Sequence, residues 1–205
     1  MKPQQVAESY DQIADVWNAD SFNRENGIKQ HERAITFVKQ KFSALDIGCG
    51  ASGRIIDLLV SHGFEAEGLD ISEKMLDFAR NRHPNQTFYH ADICEWQFPR
   101  QYDFISAWDS IWHLPLSQQQ PVLTKLIDAL TPGGVLIFTT GAMDQPSEKN
   151  DKAMGPPMYY SVLGIPETLR LIDKAGAVCR HLEYDQYPEL HLYLIVQKIA
   201  KTTDQ

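Results

Sequence analysis

Apolar residues recur along this chain with two different periods. Over residues 4–19, Val6, Tyr10, Ile13, Ala14 and Trp17 fall three or four apart, which predicts an amphipathic helix. A polar stretch, 18–27, separates it from a second predicted helix over 28–41, with Ile28, Ile35 and Val38 on one face. From residue 43 onward, short continuous apolar runs alternate with segments of helical spacing. The runs predict strands near 43–47, 64–69, 86–90, 102–107 and 133–139, and the segments between them predict helices near 53–62, 72–82 and 117–130. Ser72 ahead of Met75, Leu76 and Ala79 reads as a helix cap, and Pro132-Gly133-Gly134 reads as a turn before the buried run 135–138. Alternation with such short connections specifies an α/β fold with a parallel, doubly wound sheet.

The tail breaks the alternation. A helix predicted over 166–176 is followed by two strand-like runs, 177–184 and 190–198, with only five residues, 185–189, between them. A link that short demands an antiparallel hairpin, because a parallel crossover needs a dozen residues or more. The longest stretch without a pattern is 141–164, with Pro146, Pro156 and Pro157, charged residues at its centre and Tyr159-Tyr160 near its end. It leaves the carboxyl end of the 133–139 strand, where open α/β sheets bind ligands, so it is expected to be an irregular substrate lid.

The chemistry concentrates at SALDIGCGASG, residues 43–53. A strand here runs into Gly48, Gly50 and Gly53 and then into a helix. Glycine tolerates positive φ and leaves backbone bare for a ligand, so this turn suits a nucleotide cofactor held at a helix N-terminus. Asp70 lies 20 residues beyond Gly50, at the end of the next run, where a carboxylate can accept hydrogen bonds from ribose hydroxyls. Asp46 is expected to choose between cofactors. A pyrophosphate over the turn would meet this carboxylate, and two like charges about 4 Å apart repel by roughly 4 kcal/mol at an effective dielectric of about 20. S-adenosylmethionine carries no phosphate and has a cationic ammonium and sulfonium, so an acidic glycine-lined site accepts it by charge. An NAD(P)-dependent oxidoreductase using the same turn is the rival reading.

At these residues the chain resembles the class I S-adenosylmethionine-dependent methyltransferases. LDIGCGASG is similar to their glycine-rich first motif, GLDIS (68–72) to their ribose-binding second and HADICEW (90–96) to their adenine-binding third. The likeness continues through FISAWDSIWHLP (104–115) and LTPGGVLIFTT (130–140). The resemblance implies one Rossmann-like, three-layer domain with a mostly parallel seven-stranded sheet, a C-terminal antiparallel hairpin and two N-terminal helices. Its parts would be a helical cap (1–42), a cofactor-binding core (43–140), the lid (141–164) and a C-terminal helix and hairpin (165–205). Asp46, Gly48, Cys49, Gly50, Asp70, Ile71, Met75, Asp92, Ile93 and Trp108 are then expected around the cofactor. Cys49 is read as a small residue filling the loop. Because N-terminal helices of many small-molecule methyltransferases fold over their ligands, Tyr10 and Trp17 join the cofactor candidates and His31 the acceptor candidates.

Asp109, Trp112, Tyr159 and Tyr160 complete the expected acceptor side. His113 is the candidate catalytic residue, since an imidazole with a reference pKa near 6.5 can take a proton from an acceptor hydroxyl or amine. Methyl transfer from a sulfonium can also succeed mainly by positioning the two reactants, so a base is optional. The Asn-Pro-Pro-Tyr-like stretch of many nucleic-acid and protein amide methylators is absent after the fourth strand, which points to a small-molecule acceptor. No metal is expected, because no triad of carboxylates for magnesium is visible.

Bulk properties narrow the partners. The 205 residues suffice for one domain with a substantial core. A net charge of −8 without a basic cluster repels phosphate backbones, so nucleic acid is not an expected partner. MKPQQVAESY lacks the apolar core of a signal peptide, and no run approaches the roughly 18 apolar residues of a membrane span. A cytoplasmic protein with no membrane partner is expected. Three scattered cysteines, Cys49, Cys94 and Cys179, are odd in number and without C-x-x-C spacing, and are read as free thiols. A protein that binds S-adenosylmethionine without catalysis is the remaining alternative.

Overall fold

The computed structural model describes residues 1–200. Helices α1 (Pro3–Asn18) and α2 (Ile28–Ile35) precede β1 (Ser43–Ile47), α3 (Arg54–Ser61), β2 (Glu65–Asp70), α4 (Glu73–Arg82), β3 (Thr87–His90) and β4 (Tyr102–Ala107). A 3-10 turn (Ile111–His113) leads to α5 (Leu116–Asp128), β5 (Leu130–Gly141), β6 (Ser147–Asp151), β7 (Met158–Val162), α6 (Ile165–Lys174), β8 (Ala177–Glu183) and β9 (His191–Lys198). Seven strands form one sheet in the order β3-β2-β1-β4-β5-β9-β8, and β6 and β7 form a separate pair. The first five are parallel neighbours, while β9 runs antiparallel to both β5 and β8. The C-terminal hairpin expected from its five-residue link is therefore β8-β9.

The continuous apolar runs have a plain cause. Successive side chains of a strand point to opposite faces, and here both faces are covered by helices. On one face Leu45, Ile47, Ile105, Leu136 and Leu194 pack with Val122, Leu126 and Ile127 of α5 and Ile172 of α6. On the other, Ala44, Phe104, Val135, Ile137 and Ile195 pack with Ala34 and Ile35 of α2 and Ile55, Ile56 and Leu59 of α3. Three layers result. Strand β1, hydrogen-bonded to β2 and β4, is buried at all five positions and sits at the point where the strand order reverses, which is where such sheets bind ligands.

Two expectations need correction. Helix α2 ends at Ile35 rather than continuing to 41, because three-residue bonds (Phe37 N to Ala34 O, Val38 N to Ile35 O) tighten its last turn toward β1. The stretch 141–164 is not irregular, since β6 and β7 pair from Ser147↔Val162 to Asp151↔Met158. Strand β6, Ser-Glu-Lys-Asn-Asp, escaped notice because it is polar throughout and has no buried position to create alternation. The partner strand is pinned from beneath: Ser161 Oγ donates to Leu114 O at 2.6 Å, and Gln119 Nε2 donates to Ile111 O and Ser161 O at 2.7 and 3.1 Å.

Asp103 fastens the start of the central strands. One carboxylate oxygen accepts from the backbone N–H groups of Phe42 and Ser43, both at 3.1 Å, and the other from Thr131 Oγ1 at 2.8 Å. Asp103 is buried, so Asp103→Ala leaves the buried Ser43 N–H without its acceptor. An unsatisfied buried group costs about 1–3 kcal/mol. The urea midpoint of Asp103→Ala should fall accordingly with an unchanged m value, and an unchanged midpoint would show that the bonds contribute nothing net.

Candidate active site

Strand β1 ends in a turn whose Gly48 and Gly50 take φ of 70° and 60°, in the left-handed region. Gly48 is needed twice over, because a Cβ there would lie 2.3 Å from Ser110 Cβ. Gly50 borders open space, with nothing within 4 Å of an added Cβ. Its N–H donates to Asp70 Oδ2 at 2.9 Å, and the Ser72 N–H donates to Asp70 Oδ1 at 2.9 Å. One carboxylate thus joins the glycine turn, the tip of β2 and the start of α4, where Ser72 Oγ caps the helix through Met75 N at 3.1 Å. Burial pushes the Asp70 pKa up, against the opposing pull of these N–H bonds. Gly50 and Ser72 donate to different oxygens of this carboxylate, and each such oxygen has more than one lone pair.

Around this turn lies a cavity of about 140 Å³, some ten times what one water needs. Its walls bring together Tyr10, Trp17, Gly48, Cys49, Gly50, Asp70, Ile71, Met75, Asp92, Ile93, Trp108, Asp109 and His113. The roof is α1, not the 141–164 stretch, none of whose residues line the cavity. Helix α1 is tied to α4 by Ser72 Oγ to Asp11 Oδ1, 2.5 Å, by Lys74 Nζ to Asp15 Oδ2, 2.8 Å, and by Arg82 Nη2 to Asn18 Oδ1, 2.7 Å. Ala14, Met75 and Ala51 pack beneath it, with Tyr10, Trp17 and Phe78 alongside. On the Asp92 side, Asp92 Oδ1 accepts from Cys94 N at 2.8 Å, and Lys125 of α5 donates to the carbonyls of Ile93, Cys94 and Trp96.

Five expected site residues lie outside the walls. Asp46 is buried, and burial raises its pKa to about 6, while a bond to Ser106 and the charge of Arg54 pull the other way. His31 is fully buried between Gly27 O, 2.7 Å from Nδ1, and Ser106 Oγ, 2.9 Å from Nε2, and burial lowers its pKa to about 4. Because a carbonyl only accepts, His31 Nδ1 holds the proton and Nε2 needs that of Ser106. Tyr159 Oη donates to Glu148 Oε2 at 2.6 Å and accepts from Leu116 N at 3.1 Å, an arrangement that fixes the hairpin. Tyr160 and Trp112 pack around His113, with ring centroids 4.8 and 6.2 Å from it.

His113 is where the expected chemistry changes most. Its Nδ1 lies 2.8 Å from Tyr159 O, which can only accept, so Nδ1 carries the proton. The lone pair on Nε2 faces Tyr10 Oη at 2.7 Å and Trp112 Nε1 at 3.1 Å. Burial lowers its pKa to about 4, outweighing the Tyr159 bond. The ring is neutral at pH 7 with its basic nitrogen already occupied, which leaves no free lone pair for an acceptor proton.

No spacing along the chain signals the arrangement on the other side of Trp112. Asp109 adopts φ 53°, and its carboxylate accepts from Asn26 Nδ2 at 3.1 Å and from His191 Nε2 at 3.0 Å. The other His191 nitrogen lies 2.5 Å from Asp185 Oδ1. Burial works against charge on His191, but the bonds to Asp109 and Asp185 outweigh it and raise its pKa. His191 and Asp185 are 82 and 76 residues from Asp109 and belong to the C-terminal hairpin, so only the sheet order brings them together.

Residues 44–134 match the methyltransferase domain family. These residues form a methyltransferase domain. The chain is similar to trans-aconitate 2-methyltransferase of Methylobacterium radiotolerans, 39% identical over 153 residues, or 72% of this chain and 55% of that protein. It is also similar to ubiquinone biosynthesis O-methyltransferase of Coxiella burnetii, 28% identical over 152 residues, or 72% of this chain and 58% of that protein. The chain spans about half the length of the curated relatives it matches. In fold it is similar to Burkholderia thailandensis 1,6-didemethyltoxoflavin-N1-methyltransferase, solved with S-adenosylhomocysteine, at a TM-score of 0.71 and 16% identity over 94% of this chain and 84% of the other.

In the methyltransferase domain the charge argument from Asp46 weakens, because Asp46 lies off the pocket wall and Arg54 lines it. The acidic groups that do face the cavity are Asp70, Asp92 and Asp109. Of these Asp70 has two carboxylate oxygens that could accept from ribose hydroxyls, and charged hydrogen bonds are worth roughly 1.5–3 kcal/mol each. Asp70→Ala should therefore weaken S-adenosylhomocysteine at least tenfold by calorimetry. Unchanged affinity would remove the ribose from this carboxylate.

Proposed function

We propose that the protein transfers the methyl group of S-adenosylmethionine to a small-molecule acceptor by in-line displacement at an oxygen, nitrogen or sulfur atom. The observation that carries this reading is the single pocket in which a ribose-ready Asp70 and the aromatic and acidic end of β4, Trp108 and Asp109, line one cavity under α1. The cofactor supplies an electrophilic methyl on a cationic sulfur. Gly48, Gly50, Asp70, Ile71, Met75, Asp92, Ile93 and Trp108 hold it, with Tyr10 and Trp17 closing over it. Asp46 contributes negative charge from beneath. The relatives named for trans-aconitate and for ubiquinone biosynthesis favour a small organic acceptor, and the acidic chain favours one other than nucleic acid. Among the described residues no helix is long and apolar enough to cross a membrane, and the cytoplasm is the compartment we assign.

In this reading His113 is a positioning residue. Its neutral Nε2 accepts the Tyr10 hydroxyl proton, which turns the Tyr10 oxygen's remaining lone pairs to other partners and locks α1 over the pocket. Burial pushes the Tyr10 pKa up, so the phenol keeps its proton. Rate enhancement then rests on alignment of the two reactants in a closed cavity, which can supply several kcal/mol without a base.

Two measurements test these claims. S-adenosylhomocysteine should raise the melting temperature while NAD and NADP do not, and an acceptor panel should yield methylated product. Stabilisation by NAD alone would favour an oxidoreductase, and donor binding without product across the panel would favour a binding protein. Once an acceptor is found, His113→Gln and Tyr10→Phe should lower turnover by similar factors, about tenfold. Between pH 5.5 and 8 His113 stays neutral, since its pKa near 4 lies below that window. The wild-type rate should therefore show no ionisation near pH 6.5 that His113→Gln abolishes, and finding one would restore the histidine as general base.

A further inference from the structure

Arg54 is the only lysine or arginine among the residues that line the pocket. It is the first residue of α3, where the helix dipole disfavours a cation. Its Nε–H donates to Asn26 O at 2.8 Å and Nη1 donates to Ser52 Oγ at 3.1 Å, with the guanidinium carbon 5.1 Å from the centre of the Phe22 ring. A guanidinium has five N–H groups, so these bonds fix its plane and leave three donors for a ligand. Among the described residues Arg54 forms no ion pair. The carboxylates whose charge it feels are engaged elsewhere: Asp109 by Asn26 and His191, and Asp46 by Ser106. Ser110 Oγ, buried on the same wall and without a hydrogen-bond partner, is a further donor.

We propose that Arg54 is the carboxylate-binding residue of this pocket, receiving the methionyl carboxylate of the cofactor or a carboxylate of the acceptor. The inference rests on the methyltransferase reading and adds the group that a pocket lined by three aspartates otherwise repels. A half-buried cation with fixed orientation, unspent donors and no direct ion pair among the described residues is matched by a planar anion that takes two parallel N–H bonds. The aspartates then face the cationic parts of the same ligand, and Arg54 sets which end enters toward α3.

The test uses calorimetry with S-adenosylhomocysteine, with its decarboxylated analogue, with 5′-methylthioadenosine, which lacks the amino-acid end, and with citrate as a carboxylate probe added to the S-adenosylhomocysteine complex. If the carboxylate is the cofactor's, wild-type protein binds the decarboxylated analogue at least tenfold more weakly than S-adenosylhomocysteine. Arg54→Gln then loses at least tenfold for S-adenosylhomocysteine, keeps its affinity for methylthioadenosine, and Arg54→Lys recovers part of the loss. If the carboxylate is the acceptor's, Arg54→Gln keeps S-adenosylhomocysteine affinity and loses citrate binding. Equal losses for S-adenosylhomocysteine and methylthioadenosine would overturn the proposal, as would no loss for any ligand. Where Arg54→Gln does not fold, the wild-type comparison decides the cofactor arm alone, and equal affinity for both analogues with no citrate binding overturns the proposal. Failure of wild-type protein to bind S-adenosylhomocysteine at all would instead refute the methyltransferase reading.

Discussion

The carboxylate of Asp70 is the joint on which the site depends. It is buried, its pKa is pushed up by that burial, and it is fixed by the N–H groups of Gly50 and Ser72, both at 2.9 Å. A carboxylate in such a place needs these bonds, and the glycine turn needs them equally, because Gly50 at φ 60° has no side chain to hold it. The same contact therefore sets the position of the turn after β1, the tip of β2 and the first turn of α4. The rest of the cavity wall comes from α1, from residues 91–93 after β3 and from the segment that follows β4.

The second layer of organisation is the closure by α1. Its C-terminal half is held by polar contacts to α4 and by Ala14 packed with Met75, and its inner face by the Tyr10 to His113 bond. His113 is in turn held by Tyr159 O, and Tyr159 by Glu148 and Leu116, so the β6-β7 hairpin acts on the pocket through the histidine and not as its cover. Two histidines flank Trp112 in opposite states: His113 kept neutral by burial, and His191 favoured as a cation between Asp109 and Asp185 despite burial. That contrast comes from their neighbours, since a carbonyl and a phenol face one and two carboxylates face the other.

Much of the fold was legible because both faces of the central strands are buried. Runs such as Ala44-Leu45 with Ile47 and 135–138 are continuous for that reason, and the five-residue link at 185–189 forced the hairpin. Asp70 could be placed from its spacing because turn and strand tip are adjacent in every sheet of this kind. Strand β6 was illegible, being exposed and polar. Asp46 and His31 were misplaced, since strand alternation tells which face a side chain takes but not whether a cavity lies on that face. His191 and Asp185 could not be found from sequence, because their contact with Asp109 exists only through the order of β5, β9 and β8. Arg54 did leave a signal, a cation directly after the last glycine of the turn, at the helix end that repels it.

The central claim is that one carboxylate holds the turn and receives the ribose at the same time. A crystal structure of the protein with S-adenosylhomocysteine tests it most directly. Both ribose hydroxyls should lie within hydrogen-bonding distance of Asp70, about 2.5–3.0 Å, with the Gly50 and Ser72 bonds to the same oxygens intact. A ribose bound elsewhere in the cavity, or an Asp70 that abandons Gly50 to reach it, would contradict the account.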